Sequence, residues 1–416
     1  MEMASCSTLD ILSNLPENLV EKIFLHLSTR DVVRTSVLST KWRHKWISVP
    51  HLIFNDECIP VSVGSLGHDK LVKIVNHILL LHRGPVLKFH ISNSQLKSCS
   101  DIDSWILHLT LLNSVEEFEL QISKSVCHVV PPCLFSFGHL IQLKLIGCKI
   151  IPPVTFKGFS YLKSLFFKKV TLSNASLECL LSTCPWLEML SLIDIDGPTH
   201  VEIRNPNLKY LLFDDKSIGI SLKDLRLLVY ANLCAINVAH SDQQGTCNFI
   251  NNLGSLLNIQ KLVMKGWFLE SLAVGDVPRR LPFTFDHLKS ISFPLNVEDM
   301  KVILVAICLL NSSPNLQELE ILLHRNREYA IVPVMDLQEA KDQLECTFNK
   351  LRVVNMSKLF GTEIELVLIK SILANSPVLE TMSISTTTNG VKKLTLLKEL
   401  LQFKRTSQRA KIVHLD

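Results

Sequence analysis

The chain has 416 residues, of which 47% are hydrophobic and 20% are charged, and its formal net charge at pH 7 is +4. This balance of charge argues against a protein that binds nucleic acid through many phosphate contacts. The many leucines exclude disorder over most of the chain, because they have to be buried. No apolar run reaches the ~20 residues that a bilayer span needs, and no basic segment followed by an apolar run opens the sequence, so we expect neither membrane association nor a signal peptide.

The cysteines and the catalytic motifs narrow the class further. The 12 cysteines are scattered without any Cys-x-x-Cys pair, whereas zinc sites need closely spaced pairs of Cys and His. We therefore predict no metal site and interpret the cysteines as free thiols of a reducing compartment, cytoplasmic, nuclear or both. The motifs of nucleotide-binding loops, zinc proteases and serine hydrolases are also absent, so we expect no cofactor and no catalytic residue.

Residues 10–48 are predicted to form three short helices. In the first, Leu19, Ile23 and Leu27 lie four residues apart and line one face. A segment of about 40 residues is near the lower limit for folding alone, so its apolar surface has to pack on the rest of the chain or on a partner. The helices are expected to begin at Asn14 with Pro16 in the first turn, at Ser28 or Thr29, and at Ser39 or Thr40.

An apolar template, Leu-x-x-Leu-x-Leu with substitutions, recurs in series over residues 86–384. Most successive templates begin about 20 to 29 residues apart, which is the spacing of leucine-rich repeats. The last two apolar positions alternate with one outward residue, as in a short strand with one buried face. The templates begin at Val86, Val115, Leu140, Leu162, Leu187, Leu208, Leu233, Ile259, Leu288, Leu316, Leu351 and Leu379.

Helical spacing follows several templates, as in residues 175–184, 297–313 and 363–375, and a proline follows each of these segments. A strand and a helix of this size cannot bury their apolar faces alone. We therefore predict an α/β fold in which the repeats stack into an irregular leucine-rich-repeat solenoid. The alternative is an ordinary α/β sheet with crossover helices, which favours longer strands and more glycine-rich turns.

The outward residues of the strands are expected to line the concave face, which repeat proteins use for binding. In the third to sixth repeats these residues form an apolar patch that we predict to contact a protein substrate. The alternative is that a loop or an irregular turn covers the patch. The predicted substrate-binding residues are Ile146, Phe166, Met189, Ile193, Tyr210 and Leu212.

The N-terminal segment also carries a more specific pattern. Leu15-Pro16-Glu17, Val32-Val33, Leu38-Ser39 and Lys41-Trp42-Arg43 follow one another at the spacing of an F-box, which residues 8–50 therefore resemble. That motif binds the Skp-type adaptor of cullin-RING ubiquitin ligases, so the resemblance implies the same partner here. An alternative for Ile23 and Leu27 is that they form the small core of the module. The residues implied to bind the adaptor are Leu15, Pro16, Ile23, Leu27, Val32, Leu38 and Trp42.

Residues 346–416 are similar to the FBD region of plant F-box proteins, through Leu351-Arg352-Val353-Val354, Gly361-Thr362-Glu363 and Ala410-Lys411-Ile412-Val413. Together with the repeats of residues 51–345, the chain resembles the plant F-box/FBD/LRR-repeat family over nearly its full length. Because Leu351 and Leu379 continue the repeat spacing, we predict that the FBD forms the last turns and the cap of the solenoid. Ile412, Val413 and Leu415 are expected in a final edge strand.

The resemblance implies a substrate-recognition subunit of an SCF-type ubiquitin ligase. Such a subunit is not itself an enzyme: the Skp-type adaptor joins it to a cullin-RING ligase, and the repeats hold a protein substrate near the ubiquitin that is transferred. The alternative is a leucine-rich-repeat scaffold that binds a partner without ubiquitin transfer. Neither function requires a cofactor, a nucleic acid or a membrane.

Overall fold

The structure is a computed structural model, which describes residues 15–38, 41–59, 67–123, 127–215, 218–235, 253–266, 268–273, 280–325, 347–387 and 391–415. The chain divides into two compact units. Unit 1 comprises Met1–Leu187 with Ile195–Pro198, and unit 2 comprises Glu188–Asp194 with Thr199–Asp416.

Unit 1 begins with the predicted helical module. It contains α1 (Glu17–Leu25), α2 (Thr29–Arg34) and the 3-10 turns Thr35–Val37 and Lys45–Ser48. Ser28 caps α2, and its Oγ accepts a hydrogen bond from the Asp31 N–H at 3.2 Å. The predicted start of the second helix is therefore confirmed, whereas the third segment has 3-10 turns rather than an α-helix. The predicted start of the first helix is wrong by two residues, because α1 begins at Glu17 with Pro16 in the cap position rather than Asn14. Asn14, Ser39 and Thr40 themselves lie outside the described residues.

The strands of unit 1 are short and parallel. In chain order they are β1 (His51–Asn55), β2 (Lys88–Ser92), β3 (Glu117–Gln121), β4 (His128–Val129), β5 (Gln142–Ile146), β6 (Cys148–Lys149) and β7 (Ser164–Lys168). Strands β1, β2, β3, β5 and β7 pair side by side in that order, while β4 pairs with β6. One buried row across the five strands consists of Leu52, Phe89, Phe118, Leu143 and Leu165.

Unit 2 repeats this arrangement. Its strands are β8 (Met189–Ile193), β9 (His200–Arg204), β10 (Tyr210–Asp214), β11 (Gly219–Lys223), β12 (Tyr230–Ala235), β13 (Lys261–Gly266), β14 (Ser290–Asn296), β15 (Glu318–His324), β16 (Val353–Leu359), β17 (Thr381–Thr386) and β18 (Lys411–His414). Among the described residues of unit 2, strand β9 pairs with β11 alone, and the other strands pair in parallel in chain order. A strand order that equals chain order in each unit is typical of stacked repeats rather than of a doubly wound sheet.

Helices connect many of the strands. Those of unit 1 are α3 (Gly67–Leu81), α4 (Ser100–Leu112) and α5 (Asn174–Ser182), and those of unit 2 are α6 (Phe268–Leu272), α7 (Met300–Asn311), α8 (Glu363–Asn375) and α9 (Val391–Gln402). Short 3-10 turns lie at Asp56–Cys58 and Pro132–Ser136. The predicted apolar stripe of α5 is buried at Leu177, Leu180 and Leu181. The predicted α/β leucine-rich-repeat fold is confirmed.

The seventh predicted template is wrong by five residues. Strand β12 places Ala231 beside Leu211 and Leu233 beside Phe213, so the true template is Leu228, Ala231 and Leu233, all fully buried. The sequence prediction began this template at Leu233, because alanine is a weak apolar signal at the middle position. The residues it assigned to the rest of the template, Ile236 and Val238, lie outside the described residues.

A further template precedes the predicted series. Val49, Leu52 and Phe54 have the same spacing and are buried. Leu52 and Phe54 lie in β1, and Val49 precedes it by two residues. At the other end, β16, β17 and β18 continue the parallel pairing that starts at β15. Ile412 and Val413 lie in β18 as predicted, and Leu415 follows it, donating its N–H to the Ile384 carbonyl at 2.8 Å. The domain boundaries at 50/51 and 345/346 stay predictions.

Candidate functional site

The N-terminal module has a small core of its own. Val20, Phe24, Val32, Trp42 and Val49 are buried in one cluster. The rings of Phe24 and Trp42 meet edge to face with their centroids 5.4 Å apart, an arrangement that stabilises beyond the area it buries. The predicted adaptor-binding residues Val32 and Trp42 therefore belong to the core of the module and leave almost no surface for a partner.

Helix α1 has two apolar faces, of which only one is used by this core. Val20 and Phe24 point inward, whereas Leu19 and Ile23 are 43% and 40% exposed. Of the predicted stripe, Leu19 and Ile23 form a face of α1 that is exposed to solvent, whereas Leu27 lies after the end of the helix and is half-buried. Sequence periodicity alone did not distinguish the two faces, because both repeat with helical spacing.

The exposed apolar side chains of the module form its candidate partner surface. Ile23, Leu38 and Pro16 are exposed as the adaptor hypothesis requires, and Leu15 and Leu27 are half-buried because they also pack on the core. Leu19, Leu25 and Val37 are exposed as well and were not among the predicted contacts. We call Leu19, Ile23, Leu25, Val37 and Leu38 the module surface.

Polar contacts hold the module to the first strand of unit 1. The Ile53 N–H donates to Thr29 Oγ1 at 2.6 Å, and the Arg30 guanidinium donates to the Glu57 carbonyl. Within the module, Lys45 Nζ lies 2.7 Å from Glu17 Oε1, and this contact lowers the pKa of the exposed Glu17 carboxyl. The apolar module surface is thus presented on a segment that is tied to β1 rather than hanging free.

In unit 1 the outward sheet face is a row of ion pairs. Glu117 Oε2 lies 2.6 Å from Lys88 Nζ and 3.5 Å from His90, while Glu119 lies 3.5 Å from His90 and 2.8 Å from Lys144 Nζ. Burial is the main reason why the pKa of His90 falls to about 4, so this imidazole is neutral at physiological pH. These charges satisfy one another, so they leave little net attraction for a charged ligand.

The predicted patch residues of unit 1 lie beside this row. Phe166 is half-buried, and Lys144 Nζ is 5.4 Å from the centre of its ring. Ile146 is paired in register with Lys168. Both side chains point outward as predicted, but each has a lysine as its neighbour, which makes the surface amphipathic rather than purely apolar.

The predicted patch residues of unit 2 form a second surface. Met189 and Tyr210 are both 48% exposed and lie in register, and Tyr230 continues the row with its ring centroid 6.4 Å from that of Tyr210. Leu212 is half-buried, and Ile193 is paired with Asp214. Tyr230 was missed because the seventh template was assigned out of register.

A Ser-His-Asp arrangement occurs in unit 1. Ser98 Oγ lies 3.0 Å from His128 Nδ1, and His128 Nε2 lies 3.2 Å from Asp103 Oδ1. His128 is 5% exposed, and burial lowers its pKa. These contacts join β4 to the first turn of α4, and the buried imidazole offers no open face to a substrate. We therefore assign the three residues a structural role.

Other site chemistry is sparse. Among the described residues no group of three or more His, Cys, Asp or Glu side chains is placed to hold a metal ion. No helix in the described ranges has the length and apolarity that a membrane crossing requires. Burial raises the pKa of Cys148 to about 12 and that of Cys308 to about 11, so both thiols stay protonated at neutral pH.

Comparison with known proteins agrees with these features. The F-box domain family matches residues 12–54, and the family described as "FBD-associated F-box protein At5g56370, LRR repeats" matches residues 102–321. The F-box/FBD/LRR-repeat protein At1g13570 of Arabidopsis thaliana is 36% identical over 98% of this chain and 99% of its own length. Two further Arabidopsis thaliana proteins, the probable FBD-associated F-box protein At1g32375 and the putative FBD-associated F-box protein At5g56440, are each 26% identical over at least 95% of this chain and 98% of their own length. The chain belongs to the F-box/FBD/LRR-repeat family of plant proteins.

Proposed function

We propose that the chain is the substrate-recognition subunit of an SCF-type cullin-RING ubiquitin ligase, which binds a Skp-type adaptor through its F-box and a protein substrate through its repeats. Membership of an F-box and leucine-rich-repeat family suggests a ubiquitin-ligase substrate adaptor in general. The observation that carries the finer proposal is the module surface, since α1 exposes Leu19 and Ile23 while its other face fills the core.

The division of labour within the module supports adaptor binding. Val32 and Trp42 keep the helices together, and the exposed Ile23 and Leu38 supply apolar area that water otherwise covers. Burying such area drives association, and interface energy concentrates in a few well-placed apolar side chains. The adaptor contact is therefore assigned to Pro16, Ile23 and Leu38, with Leu19, Leu25 and Val37 added.

The outward sheet faces are the proposed substrate surfaces, one in each unit. The surface of unit 1 combines Phe166 and Ile146 with lysines, and that of unit 2 combines Met189, Tyr210 and Leu212. Aromatic and methionine side chains are enriched at protein interfaces. This chain supplies proximity and no chemistry of its own: a held substrate meets the activated ubiquitin at high effective concentration. We place this activity in the cytoplasm, the nucleus or both.

Co-purification with a Skp-type adaptor and cullin tests the first contact. The double variant Ile23→Glu with Leu38→Glu places charges on the module surface without touching its core, and we expect it to lose the adaptor. Leu107→Glu is the matched control, because Leu107 is a similarly exposed leucine that belongs to α4 and not to the module. Circular dichroism has to show that all variants are folded. Adaptor retention by the double variant, or equal loss by the control, would contradict the proposal.

Substrate capture separates a ligase subunit from a scaffold. Proximity labelling with the double variant, which is expected to lose the adaptor, should trap bound substrates. Labelled proteins whose cellular abundance rises only when this variant replaces the wild type are ligase substrates. Tyr210→Glu with Leu212→Glu should release them while the adaptor stays bound. Partners that are captured equally but never ubiquitinated in a reconstituted reaction would favour the scaffold.

A further inference from the structure

The last strand of unit 2 has a partner strand on one side only. Strand β18 pairs in parallel with β17, and no other strand in the described part of the chain pairs with it. The Lys411 N–H donates to the Glu380 carbonyl at 3.0 Å, and the Leu415 N–H also donates to β17. Because the backbone groups of successive strand residues point to opposite edges, those of Ile412 point away from β17. We call this side of β18 the outer edge.

The first strand of unit 1 shows how this chain covers a strand edge. On the side of β1 that does not face β2, the Ile53 N–H donates to Thr29 Oγ1 of the module at 2.6 Å. The Arg30 guanidinium donates to the Glu57 carbonyl just after the same strand. Among the described residues, no group hydrogen-bonds Ile412 in the corresponding way. The outer edge of β18 therefore keeps backbone groups that a further strand can use.

The segment before β18 is tied to the neighbouring repeat. Ser407 is buried, and its Oγ donates to the Leu379 carbonyl at 2.6 Å. The Arg405 guanidinium donates to the Ala410 carbonyl at 3.0 Å, directly before the strand. These contacts hold the outer edge in place, so a ligand does not have to order a loose tail when it binds.

The outer edge is flanked by positive charge. Residues 403–416 contain one acidic residue, Asp416, which lies outside the described residues, and four basic ones, Lys404, Arg405, Arg409 and Lys411. Lys404, Arg409 and Lys411 are exposed, and within the described ranges none of them forms an ion pair. Glu380, which lies across the ladder from Lys411, is already paired with Arg352 at 3.5 Å. The basic side chains are therefore left to attract a ligand of opposite charge.

We propose that the outer edge of β18 binds an extended acidic peptide segment of another protein, which adds a strand to the sheet of unit 2. In this mode of binding, backbone hydrogen bonds give affinity and the flanking side chains give specificity. Arg409 and Lys411 favour Asp or Glu in the added strand. Val413, two residues after Lys411 on the same face, is 39% exposed and favours an apolar residue beside it. The inference does not depend on the proposed ligase function, since this edge takes no part in the module surface.

The same features disfavour two other occupants. A second copy of this chain, paired through its own β18, would bring two basic segments together, and like charges across a strand pair are destabilising. A single-stranded nucleic acid binds through aromatic side chains as well as basic ones, whereas residues 404–416 include no Phe, Tyr or Trp. A nucleic acid also has no backbone amides to pair with Ile412. An acidic peptide satisfies both the charges and the open backbone groups.

Fluorescence anisotropy of the full chain with a labelled peptide in which Val and Glu alternate tests the inference. The chain should bind this peptide at least about tenfold more tightly than a peptide of equal length in which Val and Lys alternate. Added salt should weaken the binding, because the flanking charges are exposed. A Val-Glu peptide that is N-methylated at every residue keeps its charge but has no backbone N–H, and it should bind at least about tenfold more weakly than the unmodified peptide.

Variants of the chain separate the backbone from the charges. Ile412→Pro removes a donor from the outer edge, where a proline is tolerated because its nitrogen faces solvent, and it should weaken binding about tenfold or more. Arg409→Glu with Lys411→Glu should have an effect of similar size. The matched control is Lys261→Glu with Lys289→Glu, which makes the same change of charge at exposed lysines of β13 and before β14. Both of these strands have a partner on each side, so the control should keep its affinity.

Equal affinity for the Val-Glu and Val-Lys peptides, or for the N-methylated and unmodified peptides, would overturn the inference with the wild type alone. So would a charge-reversed edge that binds no more weakly than the control. Two further results would assign the edge to another occupant. One is an oligouridylate that binds through Arg409 and Lys411 while the Val-Glu peptide does not bind. The other is a dimer in sedimentation velocity that Ile412→Pro separates into monomers. Circular dichroism checks that every variant is folded.

Discussion

A buried carboxylate at the start of α8 gives the sharpest stability prediction. Glu365 has no exposed surface, and its oxygens accept hydrogen bonds from the backbone N–H groups of Phe360 at 3.0 Å, Gly361 at 2.7 Å and Thr362 at 3.1 Å. These donors lie at the beginning of a helix, where backbone N–H groups have no partner within the helix. Glu365 thus organises the turn that joins β16 to α8.

Removing this side chain leaves three donors without their partner. Each unsatisfied buried donor costs about 1–3 kcal/mol, but removing the carboxylate also relieves its own desolvation, and water reaches part of the space. We therefore expect Glu365→Ala to lower the free energy of unfolding by roughly 2–4 kcal/mol. Glu365→Gln keeps one acceptor oxygen and should cost about 1 kcal/mol or less at neutral pH.

The pH dependence has a definite sign. Burial raises the pKa of the Glu365 carboxyl above 4.5, against the opposing effects of the three N–H donors and of Arg325. The folded state therefore holds this proton more tightly than the unfolded state. The stability contributed by protonated Glu365 is complete below pH 4.5, the ordinary pKa of the carboxyl, and declines as the pH rises through the pKa of the folded state. The unfolding free energy of the wild type minus that of Glu365→Gln should accordingly fall with rising pH.

Urea denaturation from pH 4.5 upward, together with hydrogen exchange of residues 360–375, measures both the loss of stability in the variants and its dependence on pH. Glu363→Gln is the matched control, since Glu363 is in the same helical turn but exposed, and it should change stability by less than about 0.5 kcal/mol. A Glu365→Ala variant as stable as this control would refute the reasoning. So would a stability difference between the wild type and Glu365→Gln that rises with pH.

Three other predictions concern the module, a turn and the thiols. Trp42→Ala should destabilise the N-terminal module by about 3–5 kcal/mol and speed hydrogen exchange in residues 17–34; unchanged protection there would show that Trp42 is not a core residue. Gly158→Ala should lower the free energy of unfolding by roughly 2–4 kcal/mol, because Gly158 has a positive φ and a Cβ there would lie 2.0 Å from the Thr183 carbonyl oxygen. Gly84→Ala should cost less in the same urea or thermal unfolding, since Gly84 also has a positive φ but open space around it. Equal costs for the two variants would mean that the close approach to Thr183 is unimportant. Iodoacetamide at about pH 8 should alkylate the exposed Cys127 well before Cys148 and Cys308, whose pKa values burial raises to about 12 and about 11; mass spectrometry that found Cys148 labelled first would contradict the assigned burial.

The repeat architecture was largely predictable, because the same apolar spacing recurs many times along the chain and each copy supports the others. Each template buries three apolar residues, and in eleven of the twelve predicted templates all three predicted residues are buried in the structure. Helix α8 was predicted with both ends correct, Glu363 and Asn375, since a polar start and a following proline mark it. The predicted template of β12 is wrong because Ala231 is fully buried in the structure, whereas alanine is a weak apolar signal in the sequence.

The site was less predictable, because the sequence does not say which of two apolar faces is covered. In α1, Ile23 and Phe24 are adjacent and both apolar, yet one is exposed and the other buried. The difference comes from Trp42, whose ring packs on Phe24 from a segment outside the helix. Tertiary contacts of this kind set the inward face, and the helical period alone is the same for both faces.

Calorimetric titration of the full chain with a purified Skp-type adaptor measures directly whether the module surface binds this partner. We expect saturable binding with a negative heat-capacity change, because apolar area of the module surface is removed from water on binding. We also expect Ile23→Glu with Leu38→Glu to abolish this binding and Leu107→Glu to leave it unchanged. An adaptor that gives no binding heat with the folded wild type at any temperature, or that binds the double variant with unchanged affinity, would contradict the claim that this surface is an adaptor interface.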